Sequence, residues 1–185
     1  MKRHVMRPVF WGWMLAFGVW MCVPGDAQAP DKSILLFDFE EDTQEWKLDW
    51  ESQDADPQVS VAQAHHGKKS ISYAHHFKPD QKAVGCVVTL RDPKDCSAFG
   101  ELRGWIYIPE HNEWQAQMYV RSGDDWTLSW GRLQEGLKHG WHQVEIKISS
   151  ITNPTQVKDI GIQLKNWDLE GDVTFYVDQV EAVER

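Results

Sequence analysis

Arg103, Trp105 and Tyr107 alternate along one apolar run of the chain. Gln115, Gln117, Tyr119 and Arg121 alternate along the next, and Gln163 lies in a third run of the same kind. Residues two apart on a strand share a face, so each set projects from one side of its strand. Aromatic rings offer a rigid apolar platform at low entropy cost. A glutamine amide both donates and accepts hydrogen bonds, and a guanidinium presents a fixed fork of donors. This combination suits a ligand with a flat C–H face and a rim of hydroxyls, which describes a pyranose sugar. Trp126 and Trp130, in Trp-Thr-Leu-Ser-Trp, are spaced to share a strand face and to edge the same cleft.

Other chemistry is weaker in the residues. Glu101 lies on the strand face of Arg103 and Trp105, and Glu145 on the face of Gln143. A small glycosidase would need two such carboxyls ~5 Å apart for retention, or further apart for inversion. His65-His66 and His75-His76 suggest a metal site. A hairpin turn at His66-Gly67 would hold the two pairs roughly 20 Å or more apart, which makes them separate exposed pairs. No G-x-S-x-G, P-loop or dinucleotide fingerprint is present. An extracellular adhesion or assembly module, whose aromatic face meets protein, is a further alternative.

These side chains must be carried on strands. Runs from Ile34, Gln58, Lys69, Gly85, Leu102, Gln115, Thr127, Trp141, Ile160 and Val173 are separated by turn residues such as Asp92-Pro93, Ser122-Gly123-Asp124 and Glu170-Gly171-Asp172. No segment keeps a helical period for three turns. Leu102, Gly104, Ile106 and Ile108 form one apolar face; Ala116, Met118 and Val120 form another. Val144, Ile146 and Ile148, and Ile160, Ile162 and Leu164, repeat the pattern. The fold expected is all-β, an antiparallel sandwich or jelly roll of about ten strands.

The chain has 185 residues, 11 Trp, 3 Cys and a formal charge of −9. Its acidic balance argues against nucleic acid, which demands clustered Lys and Arg. Lys2, Arg3 and Arg7, the apolar run Val9–Val23, and Pro24-Gly25-Asp26-Ala27-Gln28-Ala29 follow the grammar of a secretory signal peptide. Residues 1–29 are assigned to it, with cleavage after Ala27 or Ala29, and residues 30–185 to one domain. The apolar run is shorter than the ~20 residues that span a bilayer, so no stable membrane span is expected and the protein is placed outside the cytoplasm, secreted or periplasmic. In that oxidising setting Cys86 and Cys96 are expected to pair, and closing their loop would contribute about 3 kcal/mol. Without the leader the charge becomes −11, which favours neutral over acidic polysaccharides.

Several segments occur in a familiar order. Phe37-Asp38-Phe39-Glu40 ahead of Trp46, Gly67-Lys68-Lys69-Ser70-Ile71, Arg103-Gly104-Trp105-Ile106-Tyr107-Ile108-Pro109, Gly140-Trp141-His142-Gln143-Val144, Val157-Lys158-Asp159-Ile160-Gly161-Ile162-Gln163 and Tyr176-Val177-Asp178-Gln179-Val180 resemble the strands of β-jelly-roll carbohydrate-binding modules of the galactose-binding-like superfamily. The resemblance implies a concave sheet that holds glycan, here with Arg103, Trp105, Tyr107, Gln117, Tyr119, Trp126, Trp130 and Gln163 in contact. It also implies a structural Ca²⁺ near the termini, held by Glu40 and Asp178 with Asp38 as helper; hard oxygen ligands are what Ca²⁺ requires. A glycan-degrading enzyme encoded elsewhere is a further partner it suggests. Glu41-Asp42-Thr43 departs from relatives that place Gly soon after the Glu.

Overall fold

The computed structural model describes residues 32–49, 56–110 and 113–185. The leader expected at 1–29 lies outside them. The strands are β1 (Ser33–Phe37), β2 (Lys47–Asp49), β3 (Gln58–Ser60), β4 (Ser70–Phe77), β5 (Ala83–Lys94) and β6 (Phe99–Ile108). They continue with β7 (Trp114–Ser122), β8 (Thr127–Trp130), β9 (Gln134–Leu137), β10 (Gly140–Lys147), β11 (Val157–Lys165) and β12 (Gly171–Glu184). One 3₁₀ turn, Ile148–Ser150, is the helical element among the described residues. No helix among them is long and apolar enough to cross a membrane.

The strands form two antiparallel sheets packed as a sandwich. Sheet A has the order β10-β6-β12-β4-β3, with β1 added to β12. Sheet B has the order β2-β5-β11-β7-β8, with β9 also pairing β7. The alternation in the sequence explains the core: Leu102, Ile106 and Ile108 of sheet A and Ala116, Met118, Val120, Ile160, Ile162 and Leu164 of sheet B are all buried between the layers. Gly104 marks the tightest approach. A Cβ there would lie 3.2 Å from Ile162 and Met118 of the opposite sheet and from Val180. In β12 the inward residues run Val173, Phe175, Val177, Val180 and Ala182. The odd step between Val177 and Val180 is a register shift in the pairing with β6, taken up where Gln179 has a φ of 46°.

The expected Cys86–Cys96 bridge is not formed; both thiols are free and buried. Register explains why. Cys86 stands opposite Ile162 and Lys94 opposite Val157, five residues along β11 and therefore roughly 16 Å apart. Cys96 lies beyond Lys94, whereas a disulfide needs Cα atoms within about 7 Å. His75 also departs from expectation. It is 2% exposed and packs edge-on to Phe77, while its neighbour His76 faces out and contacts Asp172 at 2.7 Å.

Candidate functional site

The residues expected on one binding face divide between the two outer surfaces of the sandwich. Arg103, Trp105 and Tyr107 alternate with the core residues of β6, so they project outward from sheet A. Gln117 and Tyr119 of β7 and Gln163 of β11 project outward from sheet B, and Trp130 stands opposite Tyr119 on β8. Strand alternation tells inside from outside, and here it served two different outsides.

On sheet A the aromatic residues are largely engaged with one another. Trp105 is stacked with His65, centroids 3.7 Å apart and planes 16° from parallel. Tyr107 meets Trp141, Tyr176 and His139 edge-on at 5.4, 5.7 and 5.2 Å, and its hydroxyl lies 3.0 Å from His139 Nε2. Arg103 is ion-paired with the buried Glu181. Trp105 therefore has one ring face covered, and Arg103 is committed to a carboxylate. Glu101 and Glu145 come from strands of sheet A, Glu145 directly opposite Arg103, but β10 is an edge strand and Glu145 also lines a hollow that reaches Trp130 at the side of the sandwich.

The outer face of sheet B is built differently. Gln117 and Gln163 are register partners on adjacent strands, and Gln117 Nε2 donates to Gln163 Oε1 at 2.8 Å. The pair leaves the Gln117 carbonyl and the Gln163 amino group without a bond to the described residues. Below them Tyr119 lies flat across Gly161, where any Cβ would collide with the ring. That reach lets the Tyr119 hydroxyl donate to Asp49 Oδ2 at 2.6 Å, three strands away on β2. Arg121 donates to Asp49 at 2.6 Å and to Asp159 at 2.9 Å. Burial and the Asp49 bond push the Tyr119 phenol far above its usual range. Burial acts to lower the Arg121 pKa, but the bonds to Asp159 and Asp49 outweigh it and hold the guanidinium charged. Arg121 answers the two carboxylates, and Lys165, with its Nζ 5.8 Å from the Trp130 ring centroid, adds a second cation to the same face, so the face has no excess of negative charge.

This arrangement corrects the role expected of Tyr119. It is fully buried and its hydroxyl is spent on Asp49, so it braces the face and does not read ligand hydroxyls. Trp126 is also placed differently from its spacing. It sits in the turn before β8 with a φ of 53°, not on the strand, and Lys158 Nζ lies 5.1 Å from its ring centroid. Trp130 is on the face, 38% exposed, tilted toward Tyr119 at 5.3 Å. The residue that alternation could not find is Trp167, in the loop after β11. It is 61% exposed, and its Nε1 donates to Gln115 Oε1 at 3.4 Å, which brings it to the rim of sheet B.

Asp38, Glu40 and Asp178, the expected calcium ligands, do line one cavity of about 270 Å³ together with Gly67 and Gln179. Two of them clamp the loop between β3 and β4. Glu40 Oε1 accepts from the backbone of Lys68 and Lys69 at 2.7 and 3.1 Å, and these bonds, Lys68 first, hold its pKa below the usual carboxylate range. Asp178 accepts from the backbone of His65, His66 and Gln179 at 2.7–2.9 Å. Burial nevertheless pushes its carboxyl above the ordinary value. Carboxylate oxygens of this kind are what Ca²⁺ takes, and among the described residues Asp178 makes no ion pair with Lys or Arg. Among the described residues no three acidic, histidine or cysteine side chains converge at coordinating distance.

The chain matches the profile of the family described as mannanase, galactose-binding domain-like, over residues 37–179. No curated protein matches it in sequence. Among solved structures it is similar to one described as showing the promiscuous specificity of carbohydrate-binding modules from the β-sandwich superfamily. That likeness has 19% identity and a TM-score of 0.61, covering 81% of this chain and 62% of that one. A family 11 module from Clostridium thermocellum, solved with a β-1,3-1,4-mixed-linked tetrasaccharide, matches at 15% identity and TM-score 0.58, covering 82% and 95%. A module described by its specific mannan recognition matches at 15% identity and TM-score 0.56, covering 83% and 99%. At these identities the likeness speaks for the fold: a β-sandwich of the carbohydrate-binding-module type.

Proposed function

We propose that this chain, which belongs to the mannanase, galactose-binding domain-like family, is a non-catalytic carbohydrate-binding module that holds a neutral polysaccharide on the outer face of sheet B. One observation carries the reading. The Gln117–Gln163 pair sits in strand register beside the Tyr119–Asp49–Arg121 brace, and the exposed Trp130 and Trp167 flank it. Trp130 and Trp167 supply the faces on which sugar rings stack, while the spare donor and acceptor of the amide pair meet hydroxyls. The similar modules solved with mixed-linked glucan or described by mannan recognition support a β-linked glycan as the ligand class.

Export by the leader at residues 1–29, with residues 30–185 as the working domain, brings the module to extracellular or periplasmic polysaccharide. There it would act beside a separately encoded glycan-degrading enzyme, concentrating that enzyme's substrate. A Ca²⁺ ion held by Glu40, Asp178 and Asp38 would neutralise the buried Asp178 carboxylate and stiffen the loop that both acids clamp. Its contribution would be to the fold and not to sugar contact.

Isothermal titration of the chain with linear β-mannan and mixed-linked β-glucan oligosaccharides tests this. Gln163→Ala and Trp130→Ala should each weaken binding about ten-fold or more, as truncation of central contacts does. Unchanged affinity in both variants would remove sheet B as the site. With a chelator present, the melting temperature should fall while the titrated affinity changes little. An unmoved melting temperature would remove the ion.

A further inference from the structure

Two polar hollows continue from the face of sheet B around one side of the sandwich. The first, about 350 Å³, starts at Trp130 and is lined by Arg132, Glu145, Lys147 and Ser150. The second, about 560 Å³, is lined by Arg132, Gln134, Glu135, Gln143 and Glu145. Arg132 and Glu145 border both, so the hollows adjoin and form one groove. Each has the size of a pocket that encloses a small ligand or a ring of a larger one.

The path of the chain makes the groove. β8 ends at Trp130 on sheet B, the segment 131–133 crosses the side of the sandwich, and β9 returns to pair with β7. β10 is the edge strand of sheet A. Gly131 fastens the crossing: its N–H donates to the Met118 carbonyl at 2.8 Å, and a Cβ would collide with the carbonyl of Glu145. The Gln134 side chain donates to the backbone carbonyl of Gln143 on the other side. Hydrogen-bonded backbone thus bounds the groove on both flanks, and it is formed before any ligand arrives.

Its chemistry is that of a hydroxyl reader. Arg132 is exposed, and it makes no ion pair or hydrogen bond with the described residues, so its fork of donors is available. Glu145 supplies acceptors, held from one side by Gln143 Nε2 at 3.5 Å. Arg132 and Lys147 balance Glu135 and Glu145, so neither an anion nor a cation is favoured. Leu133, 37% exposed, adds an apolar wall. The groove opens beside Trp130, the tryptophan assigned above to stacking of the polysaccharide backbone.

We propose that this side groove is a branch subsite. When the backbone of a polysaccharide crosses Trp130, Arg132 and Glu145 receive a neutral sugar that branches from it. The inference rests on the reading of sheet B given above, and it adds that the natural ligand is a branched neutral glycan. The test compares glycans that share a backbone: unbranched β-mannan with galactomannan, and unbranched β-glucan with xyloglucan. In at least one pair the parent chain should bind the branched form about ten-fold more tightly, a difference of about 1.4 kcal/mol. Arg132→Ala should bring the branched form down to the affinity of its linear partner and leave the linear affinity in place. Equal affinities within both pairs, or an Arg132→Ala variant that keeps the preference, would overturn the branch subsite and leave the sheet B site standing. A parent chain that binds none of the four would overturn the sheet B reading and the branch subsite with it.

Discussion

Cys86 shows how far one residue's neighbourhood outweighs its type. Its thiol is enclosed in the core, weakly bonded to the Ile162 carbonyl at 3.5 Å, and burial pushes its pKa up to about 12 from the ordinary 9.0. Cys96 is raised as well, again by burial first. The nucleophile in thiol chemistry is the thiolate, so neither group should react while folded. The expected result with a thiol reagent at pH 8 is no labelling of either thiol in the native domain and labelling of both after denaturation. The Cys86 contribution to stability also carries a sign. Because the folded value is raised, burying the neutral thiol stabilises fully below pH 9 and the benefit is lost as the pH climbs toward 12. A melting temperature that falls between pH 9 and 11, and falls less in Cys86→Ala, would bear this out. Rapid labelling of the native chain would contradict it.

At the scale of elements, one of the two shortest strands supports the longest reach. β2 has three residues, too few to be held by ladder bonds alone, yet its Asp49 takes the Tyr119 hydroxyl and the Arg121 guanidinium. Removing it would strand a buried phenol and leave the part-buried Arg121 with Asp159 as its remaining carboxylate. Asp49→Ala should therefore cost about 2–3 kcal/mol. Amide exchange at Lys47–Asp49 should quicken well ahead of exchange in β7 and β11, and uniform protection across all three strands would count against the bracing role. This strand, like β9, was not legible in the sequence. Lys47-Leu48-Asp49 and Gln134-Glu135-Gly136-Leu137 are too short and too polar to show alternation. The longer strands were legible because each carries three or four core residues at period two, as in Leu102 to Ile108. Their assignment to sheets was not. β6 and β7 follow one another in sequence, read alike, and belong to opposite layers. Trp167 was hidden for a different reason: it lies in a loop, where no period assigns a face.

The whole molecule then has two aromatic surfaces that differ in how their rings are engaged. On sheet A, Asp178 and Glu40 grip the backbone of the 65–69 segment, and that grip lays His65 on Trp105. The stacked pair closes the loop onto the sheet, and Tyr107, Trp141 and Tyr176 pack around it as a satellite cluster. On sheet B, Trp130 and Trp167 are exposed beside an amide pair that is itself only 7% and 6% exposed and keeps one acceptor and one donor unbonded among the described residues. Aromatic content alone does not mark a binding face; what marks it is aromatic surface open to solvent next to spare donors and acceptors. The two variants Trp105→Ala and Trp130→Ala separate these roles. Trp105→Ala should lower the melting temperature, because the loop loses its stacked partner, a contact of about 1 kcal/mol beyond area burial. Its glycan affinity should stay within about two-fold of the parent, since the proposed site lies on the opposite side of a sandwich whose sheets are about 10 Å apart. Trp130→Ala should do the reverse, keeping the melting temperature and losing affinity. If Trp105→Ala instead abolished binding in a chain that still folds, the glycan would belong to sheet A, and the covered ring would have to uncover by movement of the His65 loop.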